Sequence, residues 1–206
     1  MRVKDINWFA LVGGILLLVV LAVSIYFPWW QIIIGQNLLT VNASPVNTNF
    51  GLMGTPFNIP LIFALNLGAL LTFLACGIIL IIYSILPSKP YSKDLLNFSY
   101  RKPLYAVIIF VIAMIGINVI ANSALGINIP IQGKSNIEIP SSFMFGLNVT
   151  VSVLITTSLM WPFWLGIVAA ILCIGARLYH PKLNPKAPAS PIASQTPPLT
   201  PAPMIS

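Results

Sequence analysis

Apolar residues in this chain gather into four long blocks, and most polar residues fall between them. Residues 6–27, 60–86, 104–125 and 159–179 each reach or exceed the roughly 20 residues a helix needs to cross about 30 Å of hydrocarbon. The first three contain no Asp, Glu, Lys, Arg or His, and the fourth has only Arg177 near its end. Between the blocks the period changes. From Leu147 to Val153 the residues run Leu, Asn, Val, Thr, Val, Ser, Val, the two-residue alternation of a strand with one buried face. Asn136-Ile137-Glu138-Ile139 alternates too. In the other long connection, Ile32-Ile33-Ile34 and Leu38-Leu39-Thr40-Val41 are β-prone and flank the turn-forming Gly35-Gln36-Asn37, which predicts a hairpin. The two connections together predict one small sheet. Phe50-Gly51-Leu52 and Gly54-Thr55-Pro56 read as chain returning to the second span, which opens with Pro60 at its first turn, where a missing N–H costs nothing.

Charge orients this pattern. The connection 87–103 is short and carries Lys89, Lys93, Arg101 and Lys102 against the single acid Asp94, so it is expected to stay in the cytoplasm. Both termini then lie inside and segments 28–59 and 126–158 lie outside. On that topology Arg2, Lys4, Lys89, Lys93, Arg101, Lys102, Arg177, Lys182 and Lys186 are internal, leaving only Lys134 of the ten Lys and Arg outside. The fold class predicted is a membrane all-α four-helix bundle with a small extracytoplasmic antiparallel β-sheet formed by the two outer loops. Ala22-Val23-Ser24 has the small-x-small form of a signal cleavage site, but the first apolar run is longer than a signal core, so it is read as a retained span.

Composition agrees with a lipid environment: 58% hydrophobic residues, 6% charged residues and a mean hydropathy of +0.95. The net charge of +7 follows membrane sidedness instead of forming a basic stripe, so no nucleic-acid partner is expected; anionic headgroups are. Residues 180–206, rich in Pro, Ala, Ser and Thr, lack the apolar surface to fold and read as a disordered cytoplasmic tail. Cys76 and Cys173 both fall in spans, so the outer loops have no disulfide; the pair reads either as facing thiols or, by cysteine's habit, as small buried hydrophobes.

Candidate functional residues lie at helix faces and ends. Trp29 and Trp30 after Pro28, and Trp161 with Trp164, are expected to anchor the bundle in the interfacial belt. Ala64, Gly68 and Thr72 form a small-residue stripe, and Gly166 with Ala170 a second; both predict close helix packing. Asn118 and Asn122 stand one turn apart near the outer end of the third span; with Asn66 they are amides suited to interhelical hydrogen bonds or to a polar pathway. Catalytic chemistry finds little to work with. Three acids and one histidine in 206 residues leave no paired carboxylates and no metal-ligand set, so no cofactor and no enzymatic activity are expected. Asn42, Asn97 and Asn148 open Asn-x-Ser/Thr sequons, of which the first and third fall outside on this topology. Phe-Gly-Leu-x-x-Thr occurs at Phe50 and again at Phe145, as a duplicated hairpin would place it.

Trp30 after a proline at the end of the first helix, followed some twenty residues on by Gly51-Leu52, resembles the first-loop signature of the claudin and peripheral-myelin-protein-like tetraspan family. The likeness covers residues 28–52. Met53 stands where that family has tryptophan, and the loop cysteines are missing. The resemblance implies an extracellular sheet on four helices.

Two functions are consistent with these residues. The first is a non-catalytic multi-pass protein of the cell membrane that acts through protein–protein contacts, with a partner or with copies of itself, as a complex subunit or envelope organiser. The second is a transport component with an amide-lined pathway. Replacing Asn118 and Asn122 together with leucine separates them: abolished flux in liposomes with intact assembly marks a pathway, whereas disrupted assembly on a sizing column marks a structural role.

Overall fold

A computed structural model describes residues 6–87, 89, 91–140 and 150–183. In chain order its elements are α1 (Trp8–Tyr26), β1 (Trp30–Ile34), β2 (Leu39–Ala43), β3 (Asn49–Leu52), β4 (Thr55–Phe57), α2 (Pro60–Ile85), α3 (Ser92–Leu125), β5 (Gly133–Pro140), β6 (Thr150–Leu159) and α4 (Trp161–Leu183). All four helices are long and apolar enough to cross a membrane. They form a ring in which α1 packs on α2 and α4, and α3 closes the circuit between those two.

Local chemistry sets the helix ends. Asn7 caps α1, its Oδ1 accepting from the Ala10 N–H at 3.2 Å. At the other end Pro28 follows directly on the cap residue Phe27. Pro60 occupies the first turn of α2, as its sequence position predicts. Gly126, at φ +66°, ends α3: its N–H bonds Asn122 O at 3.0 Å and the Ile127 N–H bonds Ala121 O at 3.1 Å, the pairing of a left-handed helix stop.

The expected basic loop 87–103 is mostly helix. α3 starts at Ser92 and runs 34 residues through Pro103, which is buried inside it. No Gly or Pro interrupts residues 92–102, Asp94 sits favourably in the first turn, and Leu96, Ser99 and Pro103 are buried along one face. A proline ring removes the hydrogen bond to the carbonyl four residues back, here Ser99, without preventing helix on both sides. The last span also runs further than expected: α4 continues through His180 and Pro181 to Leu183, so the start of the expected tail is helical. Residues 184–206 lie outside the described residues.

Among the described residues, six strands form one antiparallel sheet in the order β4-β3-β2-β1-β6-β5. The connection after α1 supplies four strands and the connection after α3 two, joined where Trp30 pairs Leu159 and Ile34 pairs Ile155. Phe50-Gly51-Leu52 and Thr55-Pro56 do not simply return the chain: they form a second hairpin, β3–β4, whose turn places Met53 at φ +50° and Gly54 at φ +80°. β6 carries the predicted alternation further than expected, to Leu159, with Ile155 and Thr157 buried and Leu154 exposed between Val153 and Ile155. Residues 141–149, including Asn148 and the second Phe-Gly-Leu, lie outside the described residues.

Two adjacent glycines set the bundle's spacing. A Cβ on Gly14 would stand 3.0 Å from Gly77 O and 2.9 Å from Ile81 Cγ1 on α2, and one on Gly13 would stand 3.3 Å from Leu172 Cβ on α4. Around Gly68, in the expected packing stripe, a Cβ would meet nothing within 4 Å; Ala64 is likewise exposed, and Thr72 turns its hydroxyl back to Gly68 O at 2.7 Å. Gly14→Leu is therefore expected to lower the thermal midpoint in detergent, costing about 1–3 kcal/mol or more through overpacking, while Gly68→Leu leaves the midpoint of the isolated chain nearly unchanged.

Candidate functional site

At the sheet end of the bundle, the two adjacent tryptophans go inward. Trp29 is 1% and Trp30 2% exposed, so neither has the half-hydrated setting of the interfacial anchor expected of it. Trp29 lies against the bare face of Gly166, where a Cβ would stand 2.6 Å from the indole. Its Nε1–H donates to Ser24 Oγ at 2.7 Å, and its ring meets Phe110 and Phe163 edge-on at 5.3 and 5.9 Å. Trp30 donates through Nε1 to Ile131 O at 2.8 Å, tying β1 to the start of the second connection. Strand pairing pulls both residues in, because the Trp29 N–H bonds Ala43 O and its carbonyl accepts from the Met160 N–H. Trp161 and Trp164 point outward and are 51% and 56% exposed.

The opposite end is closed by a buried polar knot that the sequence reading missed. Asn7 is fully buried; its Nδ2 donates to Tyr83 Oη at 3.1 Å and to Ala176 O at 3.0 Å, and its N–H bonds Ser84 O at 3.2 Å. Tyr83 Oη lies 2.7 Å from His180 Nδ1, with the imidazole tautomer setting which atom donates. Three helices are thus pinned by one amide, one phenol and one imidazole. A lone Asn just before an apolar run was the available signal, as a helix cap; its partners 76 and 169 residues away had none.

Between these closures the seam of α2 and α3 stays open. α3 is the least covered helix, with 11% of its apolar window buried against 39% for α1 and α4. The gap forms a groove of about 590 Å³, within the usual range for ligand pockets. Ala69 and Phe73 of α2 face Tyr105, Ile109 and Ala113 of α3 across it. Lys102 stands at the knot end and Asn66 lines the groove further along α2. Asn66 also lines an adjoining pocket of about 170 Å³ beneath Val46, Asn47 and Asn49. Lys102 is exposed, with Nζ 5.8 Å from the Phe98 ring one turn back, so its stem lies along α3 toward the knot end.

The three candidate amides do not converge. Asn118 Nδ2 donates to Ile129 O and pins the chain that leads into β5; Asn122 is exposed; only Asn66 of the three lines the groove. Asn42 sits on β2 and accepts from Gln31 Nε2 at 2.8 Å. Cys76 and Cys173 are fully buried and unbonded. Among the described residues no three His, Cys, Asp or Glu side chains gather as metal ligands.

No protein-family model matches this chain, and no curated protein matches it.

Removing the hydroxyl at the centre of the knot, by Tyr83→Phe, leaves Asn7 and His180 each short of a buried partner. A cost of about 1–3 kcal/mol is expected, seen as a lower thermal midpoint in detergent. Tyr26→Phe, at an 81% exposed site, leaves the midpoint unchanged.

Proposed function

We propose that this chain is a non-catalytic multi-pass protein of the cell membrane that acts through protein–protein contacts as a subunit of a larger complex or as an envelope organiser. Both termini and the polar knot face the cytoplasm in this reading, and the sheet stands outside. Four spanning-length apolar helices support the membrane setting, and the asymmetry of Lys and Arg supports the orientation. The non-catalytic part rests on the scarcity of acids and histidine in the sequence. The claudin-like likeness is proposed at the level of architecture only, a sheet of first-loop and second-loop strands carried by four helices.

One observation carries the proposal of a partner. α1 ends at Tyr26 and α4 begins at Trp161, and α3 passes that level at Phe110, whose ring lies 5.3 Å from Trp29 and 6.2 Å from Phe163. The part of α3 below Phe110 already spans about 27 Å at 1.5 Å per residue, close to a hydrocarbon core. Residues 111–125 then rise about 22 Å further, beside the sheet. One side of this extension is covered, with Met114 and Ala121 4% and 6% exposed. The other is apolar and open: Ile117, Val119 and Ile120 are 43%, 56% and 65% exposed. With the hydrocarbon set at the level of α1 and α4 instead of at the expected span 104–125, this face stands above the lipid tails in this reading, and an apolar helix face left open there is a binding surface in want of a cover. The dispersed amides, by contrast, give the transport reading no shared path.

Ile117→Glu with Ile120→Glu is the matching test. Purified through a tag from native membranes in mild detergent, the wild-type chain is expected to bring down a partner or a second copy in fixed ratio. The double variant is expected to fold with an unchanged thermal midpoint and to lose that component; wild-type protein that runs as a lone monomer under the same conditions defeats the proposal.

A further inference from the structure

Where the sheet meets the ends of α1 and α2, amides gather around a recess. A pocket of about 170 Å³ is bordered by Asn47, Asn49, Asn58 and Asn66. A smaller one of about 50 Å³ shares Asn47 and Asn49 with it and adds Asn42. These asparagines come from β2, the turn after it, β3, the link before α2 and α2 itself, so no single stretch of sequence shows them as a group. No charged residue borders either pocket. We propose that the recess binds one neutral sugar ring, carried as the headgroup of an outer-leaflet glycolipid or presented as a free saccharide. The lipid source rests on the membrane reading given above; the sugar site itself does not.

Three features argue for a ligand of that chemistry. The first is hydrogen-bonding capacity. Among the described residues the side-chain amides of Asn49, Asn58 and Asn66 have no protein partner, and Asn42 uses only its Oδ1, which accepts from Gln31 Nε2. An amide sets donors beside an acceptor, as adjacent hydroxyls do, whereas a charged group would enter this recess without a counter-charge. The second is fixed geometry. The Asn47 N–H donates to Ser44 Oγ at 2.9 Å and Thr48 Oγ1 to Ser44 O at 3.1 Å, closing the turn on itself. Ser44 Oγ and Asn47 Nδ2 also donate to the Ser24 and Ile25 carbonyls, at 3.1 and 2.6 Å, which clamps the turn to the last turn of α1. Little ordering is then left to oppose binding. The third is shape and level. Val46 with Phe63, Leu67 and Leu70 of α2 makes an apolar wall, suited to the C–H face of a sugar ring as the amides suit its hydroxyl rim. A volume of about 170 Å³ is below the range for drug-sized ligands and matches a single ring. The end of α1 marks the outer edge of the hydrocarbon in the reading above, so a turn clamped to it stands where outer-leaflet headgroups lie.

The test uses the intact chain purified in mild detergent. Native mass spectrometry is run with monoglucosyl diacylglycerol, monogalactosyl diacylglycerol and phosphatidylglycerol of identical chains in equal amounts, and saturation-transfer NMR with methyl glucoside and methyl galactoside. The wild type is expected to retain a glycolipid in preference to phosphatidylglycerol, to transfer saturation to a free glycoside, or both. Retention alone assigns the sugar to a lipid headgroup; transfer assigns it to a saccharide recognised without its lipid. Asn58→Leu with Asn66→Leu is expected to lower the response about tenfold, as the loss of two neutral hydrogen bonds does, at an unchanged thermal midpoint. Asn49→Leu repeats the test from the exposed edge of the sheet, with a loss of about threefold, and Gln132→Leu, at an exposed amide elsewhere, is expected to change nothing. A wild type that retains glycolipid no better than phosphatidylglycerol and shows no transfer overturns the proposal. So does a response as strong in the asparagine variants as in the wild type. Carbonate extraction of native membranes separates the two levels: a chain released by carbonate defeats the membrane reading and the lipid source with it, and the free-glycoside measurement then decides the sugar site.

Discussion

The close approach of α1 to two neighbours at once, made at Gly13 and Gly14, is the constraint on which the rest of the molecule depends. With a bare backbone facing Gly77 on one side and Leu172 on the other, α1 becomes the shared spine of α2 and α4. That approach has to be held at both ends, because helix surfaces apolar on every face have no pattern of their own to fix rotation or register. The Asn7 knot supplies one hold, at the side of α1 that begins the helix. The Trp29 indole supplies the other, lodged on Gly166 and bonded to Ser24. Each hold combines an apolar contact with a directional bond.

What is pinned and what is left free follow from this arrangement. α1, α2 and α4 share the knot, whereas α3 has no part in it and is the least covered of the four. The seam between α2 and α3 therefore opens into a groove, and the far half of α3 leaves the bundle to stand beside the sheet. Partner binding is proposed on this one helix. Ile117 and Ile120 offer an apolar face above the bundle.

The sheet is placed by the same junction. Trp29 contributes its N–H to Ala43 and its carbonyl to Met160, so the residue that seals the bundle also starts the ladder that joins β1 to β2 and β6. Ser44 extends this seam, its hydroxyl bonding Ser24 O at 3.1 Å. A sheet built from two distant connections is thereby registered directly onto the helix ends, without a disulfide.

Several elements were determined by the sequence alone. Four apolar blocks gave the four helices, Pro60 gave the start of α2, and two-residue alternation around Val151 and Val153 gave the strand that unites the two connections. These are local signals, set by length, backbone chemistry and period. Tertiary structure decided which small residues pack, since Gly14 and Gly68 look alike in an apolar helix and only the neighbour distinguishes them. It also buried Trp29 and Trp30, because strand pairing at the helix end turned them inward where an amphipathic side chain had equal claim to the interface. It carried α3 back to Ser92, where charge had argued for a loop, because a helix can keep Lys93, Arg101 and Lys102 exposed while Leu96 and Ser99 pack. And it assembled Asn7, Tyr83 and His180, since a hydrogen bond across 97 residues of chain leaves no trace in composition or period. Local order is written in the neighbours along the chain; contact between helices that are apolar on all sides is settled only when the helices meet.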